Sequence, residues 1–224
     1  DYLQEKYFYL ASLTLKPIHE EKATPEAYEK SIRAFQKVID RYPGSNQAMQ
    51  SHFVIASLYR SQEKYGAARQ ELEKVIQNFS HLNEIPSEAR FQIAQLYQLE
   101  RDWERALAAY QEVVHYAPLS VRGLFTPYFL ATHFLEKKNE VSSTNAEESS
   151  RLEQMMEQSY NEAISQYQKL LNRLGPISQA ATVQNHQALT EASRGNWQGA
   201  VNLWVTIPDL FPKSPLGPIS LLTA

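Results

Sequence analysis

The chain has 224 residues, of which 43% are hydrophobic and 21% are charged, a balance typical of a folded protein rather than a disordered segment. Its net charge of −3 argues against the broad basic surface with which nucleic-acid-binding proteins neutralise phosphates, so we expect no nucleic-acid partner. Cysteine is absent, which excludes disulfides, thiolate nucleophiles and zinc–cysteine sites.

A short motif of the form x-[Phe/Tyr]-x-[Ile/Leu]-Ala recurs along the chain. Four copies end at Ala11, Ala56, Ala94 and Ala131, and a fifth, ending at Ala188, keeps only the alanine. Self-similarity at a regular period is the sequence signature of a repeat protein. The motif therefore predicts a repeated structural unit.

A second motif follows each copy of the first and begins with an aromatic residue, with a small residue three positions later. These aromatics are Tyr28, Tyr65, Trp103, Tyr160 and Trp197. A period of about 38 residues accommodates two helices and a turn. Because small residues let two helices approach closely, we predict helical hairpins in which these five aromatics pack between the two helices.

The paired motifs resemble the tetratricopeptide repeat (TPR) family. The resemblance rests on small residues in both helices, on a tyrosine three residues after the first alanine, and on a proline ending the second helix: Ala56, Ala68, Ala94, Ala106, Tyr59, Tyr97, Pro43, Pro118 and Pro212. The chain departs from the family in its longer repeat, and in having Tyr7, His52 or Arg90 at the position of the family's tryptophan. The resemblance implies an all-α fold, a right-handed superhelix or solenoid of about five TPR-like helical hairpins.

We expect a single array over residues 1–224. Its units are predicted at 2–43, 46–80, 87–118, 121–174 and 177–212, with a polar insertion near 137–149 and the start of a further helix at 214–224. A tolerated surface insertion is favoured over a functional loop. We also expect the chain to be a piece of a longer protein whose superhelix continues past its last residue.

Capping residues place several helix starts. Thr24-Pro25 indicates an N-cap followed by proline at the first helical position, and Ser214-Pro215 repeats that pattern. Ser150 and Glu153 have the spacing of a capping box, so a long helix is predicted over 151–174, after a mobile loop at 140–149.

No motif for catalysis is present. The sequence lacks phosphate-binding glycine loops and the nucleophile elbow, and its histidines never pair at i, i+3 or i, i+4. We therefore predict no catalytic residues, metal or cofactor, and hence no enzyme. The stretch Gly123–Leu135 is too short to span a membrane and is predicted to be a buried helix. Charged runs such as Glu71, Glu73 and Lys74 are interpreted as solvated helix surface.

In the TPR family the first helices line a concave groove, and the residue after the tryptophan-like position faces it. By resemblance, these residues are Phe8, Phe53, Phe91 and Tyr128, with Ser57, Arg60, Gln95, Gln98, Thr132 and Leu135 on the same face. Such a surface suits an extended peptide or an amphipathic helix of a partner. An alternative stays open, in which the rings fill the seam between adjacent first helices. In the groove interpretation, Phe53→Ala with Phe91→Ala leaves the fold nearly intact.

Two classes of function follow. One is a scaffold that binds a partner's peptide or helix in its groove, and the other is a constitutive structural subunit of a larger assembly, using its convex face or its ends. The turns Tyr42–Ser45 and Phe211–Ser214 resemble those of bacterial cell-envelope TPR proteins, such as the β-barrel assembly lipoprotein and the periplasmic coordinator of the Tol–Pal system. That resemblance implies the bacterial periplasm or cell envelope, with a cytoplasmic scaffold as the alternative.

Overall fold

The computed structural model describes residues 2–19, 23–141, 145–175 and 177–216, and its ordered elements in those ranges are helices. The α-helices are α1 (Tyr2–Ser12), α2 (Lys16–His19), α3 (Pro25–Arg41), α4 (Asn46–Ser61), α5 (Tyr65–Asn78), α6 (Glu84–Leu99), α7 (Trp103–Tyr116), α8 (Val121–Glu140), α9 (Ala146–Leu174), α10 (Ser178–Ser193) and α11 (Trp197–Leu210). The short 3-10 turn Leu13–Leu15 connects α1 to α2. The predicted all-α class is confirmed for the described part of the chain.

Consecutive helices pack against each other in pairs, as the repeated motifs predict. α4 packs on α5, α6 on α7 and α10 on α11, while α1 packs on α3. The chain forms two compact units, residues 1–122 and residues 123–224. The grouping of all helices into five units of one right-handed superhelix stays a prediction.

The first core of unit 1 lies where α1, α3 and α4 meet. Phe35, Val38 and Ile55 are at most 1% exposed, and Ala11 is 3% exposed. Ala11 is the motif alanine of α1, and its small side chain lets the neighbouring helices approach. The sequence motif therefore marks a close contact between helices.

The second core of unit 1 joins α4, α5 and α6. Ala56 and Ala68, the small residues of the two motifs, are 2% and 0% exposed. Leu72 and Val75 on α5, and Phe79 directly after it, complete the cluster and are at most 2% exposed. α5 is thus covered by α4 on one side and by α6 on the other.

Three polar contacts fasten the start of α6 to the segment that opens α8, within unit 1. Glu84 Oε2 accepts the backbone N–H of Val121 (3.0 Å), and the hydroxyls of Ser87 and Ser120 lie 2.6 Å apart in the interior. Glu88 forms a two-pronged ion pair with Arg122. We call this set of contacts the α6–α8 clasp.

In unit 2, α10 and α11 form an alanine-rich core. Ala180, Ala181, Ala188 and Ala200 are fully buried, and the larger Trp204 and Ile207 of α11 fill the remaining space. Small residues along α10 leave room for a tryptophan on the facing helix. This helix pair therefore packs one large side chain against several small ones.

Helix α8 of unit 2 contains a proline and is hydrogen-bonded to α9. Pro127 lies inside α8 and has no N–H to donate, so the helical hydrogen bond that it would make is missing. Nearby, the hydroxyl of the buried Tyr167 on α9 donates to the carbonyl oxygen of Leu124 (2.7 Å). Burial raises the pKa of Tyr167, which keeps this donor protonated. The predicted buried helix over 123–135 lies within α8.

Side-chain caps begin several helices. Thr24 Oγ1 accepts the N–H of Ala27 (3.2 Å) ahead of Pro25, which confirms the predicted start of α3. Ser45 caps α4 in the same way (3.0 Å), and Gly44 before it has φ of 77°, a conformation that favours glycine. Ser214 Oγ accepts the N–H of Leu216 (3.2 Å), whereas the helix predicted after it falls at 217–224, outside the described residues.

The predicted start of α9 is wrong. α9 begins at Ala146, and its N-cap is Asn145, whose Oδ1 accepts the N–H of Glu148 (3.2 Å). Ser150 therefore lies inside the helix and caps nothing. Because α8 also continues to Glu140, most of the insertion predicted near 137–149 is helical, and only 142–144 lie outside the described residues. Asparagine is as good an N-cap as serine, and the acidic residues 147–148 favour the first turn.

Candidate partner-binding surface

The residues predicted to face a groove lie on α1, α4 and α6 of unit 1 and on α8 of unit 2. Phe53, Ser57 and Arg60 follow one side of α4, because residues spaced three and four apart share a helix face. Ser57 and Arg60 are exposed, and Phe53 is half-buried. α4 thus presents an aromatic edge beside a hydroxyl and a guanidinium group.

The Phe91 ring is part of the core, and its predicted place in the groove is wrong. Phe91 is 1% exposed, and its ring packs edge-on against Tyr110 of α7, with 5.3 Å between centroids. The guanidinium carbon of Arg122 lies 4.4 Å from its centroid on another side. Tyr110 and Arg122 enclose the ring, and the sequence around Phe91 alone does not reveal them.

Phe8 and Phe53 are only partly buried. Phe8 is half-buried and packs edge-on against Phe35 of α3, with 5.5 Å between centroids. Phe53 is half-buried against the cluster that contains Leu72. Each ring therefore fills space inside its hairpin and leaves an edge accessible.

The two glutamines of α6 differ in their contacts. Gln95 is half-buried, whereas the Oε1 of Gln98 accepts a hydrogen bond from the hydroxyl of Tyr110 (2.9 Å). Burial raises the pKa of Tyr110, so this hydroxyl stays a donor. Gln98 thus has a structural partner in α7.

The predicted groove residues of unit 2 lie on α8. Tyr128, Thr132 and Leu135 are all half-buried. The Thr132 hydroxyl lies 3.1 Å from the carbonyl oxygens of both Tyr128 and Phe129, so it is directed to its own helix. Of these three side chains, Tyr128 and Leu135 therefore have accessible surface that a partner could contact.

A buried ionic chain in unit 1 was not foreseen in the sequence. Nδ1 of His52, at the tryptophan-like position of α4, lies 2.6 Å from Oε1 of Glu71, and Lys74 Nζ lies 2.7 Å from Oε2. Glu71 is only 4% exposed, so its interpretation as solvated surface is wrong. Burial raises the pKa of Glu71, but hydrogen bonds from His52 and Lys74 outweigh that effect and lower it. The signal available in the sequence was His52 itself, a histidine at a repeat position that normally holds an aromatic core residue.

The aromatics of the second motif divide by burial. Tyr160 is fully buried, and Tyr28, Tyr65 and Trp103 are half-buried. Trp197 is 63% exposed, so its prediction as a core residue is wrong. In this repeat Glu191 takes the position that a tyrosine occupies in α4 and α6, and it pairs with Asn196 (2.8 Å) instead of offering Trp197 an aromatic neighbour.

Two features are absent from the part of the chain that the structure describes. Over 2–19, 23–141, 145–175 and 177–216, no group of three or more His, Asp or Glu side chains is placed to hold a metal ion. Among the helices in the described ranges, none combines the length and the apolar character that a bilayer crossing requires.

Several solved structures are similar to this chain over most of its length. YrrB, described as a TPR protein with an unusual peptide-binding site, is 15% identical, with 97% of this chain and 89% of that chain covered and a TM-score of 0.41. The MamA protein is 14% identical, with 89% and 91% covered and a TM-score of 0.39. TPR-like repeats of a putative kinesin light chain from Podosopora anserina are 13% identical, with 89% and 92% covered and a TM-score of 0.42. No curated protein gives a significant match.

Family models identify the repeats directly. One model of the tetratricopeptide repeat matches residues 26–45 and 88–120, and a second matches residues 50–78. These ranges cover α3 to α7, where the small motif residues are buried between paired helices. Residues 26–45, 50–78 and 88–120 therefore match tetratricopeptide repeats, which generally occur in protein-binding scaffolds and are usually non-catalytic.

Proposed function

We propose that the chain is a non-catalytic scaffold that binds an extended peptide or an amphipathic helix of a partner protein along α4 and α6. The observation that carries this proposal is the arrangement of Phe53, Ser57 and Arg60 on one face of α4. A half-buried ring there lies beside an exposed hydroxyl and an exposed guanidinium group. An aromatic anchor with polar neighbours suits a peptide, which needs both an apolar contact and partners for its backbone.

The proposed surface differs from the groove expected from sequence. Phe91 does not belong to the proposed surface, because its ring is enclosed. The Oε1 of Gln98 already accepts a hydrogen bond from Tyr110, so we do not assign it a contact with the peptide. Gln95, which is half-buried on α6, is proposed as the polar contribution of that helix. Tyr128, Thr132 and Leu135 of unit 2 are proposed as a separate contact on α8.

A charge reversal at the surface tests this function. Arg60→Glu changes an exposed side chain, so we expect native helicity by circular dichroism and loss of most of the partner recovered from the source organism's extract. Arg33→Glu is the matched control, because Arg33 is also exposed, with its side chain 69% accessible, and lies on α3. Equal recovery by Arg60→Glu and wild type would remove the support for the α4–α6 surface.

The alternative function is a constitutive structural subunit that uses the convex face or the ends. The observation that favours it is Trp197, 63% exposed on α11, with Val205 two turns further at 46%. Exposed apolar side chains at such spacing indicate contact with another protein. A partner lost by Trp197→Ser with Val205→Ser, but retained by Arg60→Glu, would favour this alternative.

We further propose that the protein works in a bacterial periplasm or cell envelope, with the cytoplasm as the alternative. The support is the resemblance of the Tyr42–Ser45 and Phe211–Ser214 turns to those of cell-envelope TPR proteins. Fractionation of the source cells, with antibody detection of the native protein, tests this location. Recovery in the cytoplasmic fraction alone would overturn it.

A further inference from the structure

The turn end of the third hairpin (α6 and α7) lacks a ring pair that the first two hairpins have. In those two, α1 with α3 and α4 with α5, the C-cap residue of the second helix packs against the residue four positions before the motif alanine of the first. The pairs are Tyr42 with Tyr7, at 5.8 Å between centroids, and Phe79 with His52, at 6.4 Å. In the third hairpin the corresponding residues are Ala117 and Arg90, and neither has a ring.

Arg90 stacks instead on Tyr116, the last residue of α7. Its guanidinium carbon lies 4.4 Å from the centroid of the Tyr116 ring. Arg90 is half-buried, whereas Tyr116 is 62% exposed. A guanidinium group held on an aromatic face keeps its planar set of N–H donors in one orientation. The pair therefore presents oriented donors beside an exposed ring.

Among the residues that the structure describes, no carboxylate pairs with Arg90. Glu84, which precedes it on α6, accepts the N–H of Val121. Glu88, one turn later, pairs with Arg122. A half-buried guanidinium group has given up part of its hydration, so a carboxylate brought to its N–H donors is bound more strongly than on a fully solvated arginine. Arg90 is thus placed to bind an external carboxylate.

An apolar surface adjoins Arg90. Val121, which is 70% exposed, opens α8 after a turn in which the N–H of Ser120 donates to the carbonyl oxygen of Ala117 (3.0 Å). Because this turn is tight, Val121 and Tyr116 lie at the same end of the third hairpin. This is not an end of the array, since α5 packs on α6 before it and α8 follows it. We call Arg90, Tyr116 and Val121 the third-hairpin site.

The character of the third-hairpin site selects a protein segment as its ligand. Small molecules bind in concave pockets that enclose most of their surface, whereas Tyr116 and Val121 are mostly exposed. Nucleic acids need several cations, and the site has one arginine in a chain of net charge −3. Arginine and tyrosine are among the residue types that contribute most to the affinity of protein–protein contacts.

We propose that the third-hairpin site binds an acidic side chain of a partner protein. Arg90 holds the carboxylate through two N–H···O bonds, and Tyr116 and Val121 contact an apolar residue next to it. A partner segment in which glutamate or aspartate is flanked by leucine or phenylalanine fits both parts of the site. The site shares no residue with the proposed α4–α6 surface and does not rest on that proposal.

Two pentapeptides with blocked ends test the proposal with the 224-residue chain. One is Ser-Leu-Glu-Phe-Ser and the other has Gln in place of Glu, so they differ only in the carboxylate. Binding is followed by the Nε–Hε NMR signal of Arg90, which is identified by its absence in Arg90→Lys. We expect the glutamate peptide to shift this signal and to bind about ten-fold more tightly, although the net charge of −3 opposes an acidic ligand. Equal affinities, or no shift with the glutamate peptide, would refute the proposal.

Substitutions locate the binding, which is followed in the variants by the backbone amide signals of the α7–α8 turn. Arg90→Lys keeps the charge but loses the planar fork, and Tyr116→Ala removes the ring, so each should weaken the glutamate peptide about ten-fold. Arg69→Lys is the matched control, because Arg69 is also stacked on a tyrosine, 4.3 Å from the Tyr97 centroid, but already pairs with Glu100. All three variants should keep native helicity by circular dichroism. The same loss of binding in Arg69→Lys would place the peptide elsewhere and refute the site.

Two other occupants of the site are separated by further measurements. We expect a monomer in sedimentation equilibrium; a dimer that Arg90→Gln dissociates would identify a second copy of this chain as the occupant. The protein isolated from its source cells should bind the glutamate peptide with the same affinity as the 224-residue chain. Loss of that binding would show that another segment of the same protein fills the site. Either result would reject a partner protein as the ligand.

Discussion

Nδ1 of His52 on α4 and Oε1 of Glu71 on α5 lie 2.6 Å apart, and their side chains are only 4% and 5% exposed. The other oxygen of Glu71 bonds Lys74, whose side chain is 51% exposed. The carboxylate therefore connects the interior of the second hairpin to its surface. A carboxylate buried in this way stays ionised only because both partners donate to it.

This pairing gives the protein a specific loss of stability in acid. The pKa of Glu71 is lowered on folding, so its ionised form stabilises the protein above the unfolded-state pKa of about 4.3, and the contribution is lost as pH falls through the lower folded-state pKa. Between pH 7 and pH 3, Glu71→Gln should therefore show a smaller decline in the free energy of unfolding than wild type. Urea denaturation followed by circular dichroism measures this decline. Glu104→Gln, at an exposed position of α7, should behave as wild type.

Phe91→Ala should destabilise the fold by about 3–5 kcal/mol, because it empties a site enclosed by Tyr110 and Arg122. This reverses the expectation that Phe53→Ala with Phe91→Ala preserves the fold. Chemical denaturation gives the value. Leu99→Ala on the same helix is the control, since Leu99 is 52% exposed and should change stability by less than about 0.5 kcal/mol. A Phe91→Ala protein as stable as that control would return the ring to the surface.

Truncation of the two tryptophans of α11 should destabilise the protein to very different extents. Trp204 is 3% exposed and its Nε1 donates to Asn185 Oδ1 (3.0 Å), so Trp204→Ala should cost about 3–5 kcal/mol. Trp197 is 63% exposed, and Trp197→Ala should cost less than about 0.5 kcal/mol. Thermal and urea unfolding of both variants decide between these outcomes. Comparable losses in the two variants would show that Trp197 is packed.

Asn145→Ala should loosen the first turn of α9, because its side chain holds the Glu148 N–H. Loss of an N-cap costs about 0.5–2 kcal/mol. Hydrogen exchange of the Glu148 amide should accelerate in this variant and stay unchanged in Ser150→Ala. The reverse pattern would restore the capping box at Ser150 and a loop before it.

The hairpins were predictable because their signals are local. Small residues such as Ala56 and Ala68 mark where two helices touch, and Thr24 with Pro25 marks a helix start, so periodicity and capping rules suffice. The start of α9 was missed because Asn145 and Ser150 are both acceptable N-caps. The choice between them depends on how much stability α9 gains when it is extended to Ala146, and a local motif does not encode that free energy.

The candidate surface was predictable only in part. Phe53 and Phe91 occupy the same repeat position, yet one is half-buried and the other is enclosed. The difference arises at residues far away in the sequence. Phe91 packs against Tyr110 of α7, whereas Phe53 packs near the smaller Leu72 of α5. Arg122, at the start of α8, covers the Phe91 ring on another side. His52 and Glu71 likewise pair across two helices. Contacts of this kind depend on tertiary structure rather than on sequence spacing.

The α6–α8 clasp closes the open end of the third hairpin, which consists of α6 and α7, so that the two helices and the clasp form a ring. The bonds from Glu84, Ser87 and Glu88 to Val121, Ser120 and Arg122 bypass α7 altogether, so the hairpin's entrance and exit are tied to each other. Cutting the backbone within the turn between α6 and α7 would leave both fragments held by these bonds and by the buried α6–α7 contacts. In such a ring, opening is cooperative, because neither helix can leave alone. The third hairpin should consequently remain associated after a single proteolytic cleavage at its tip.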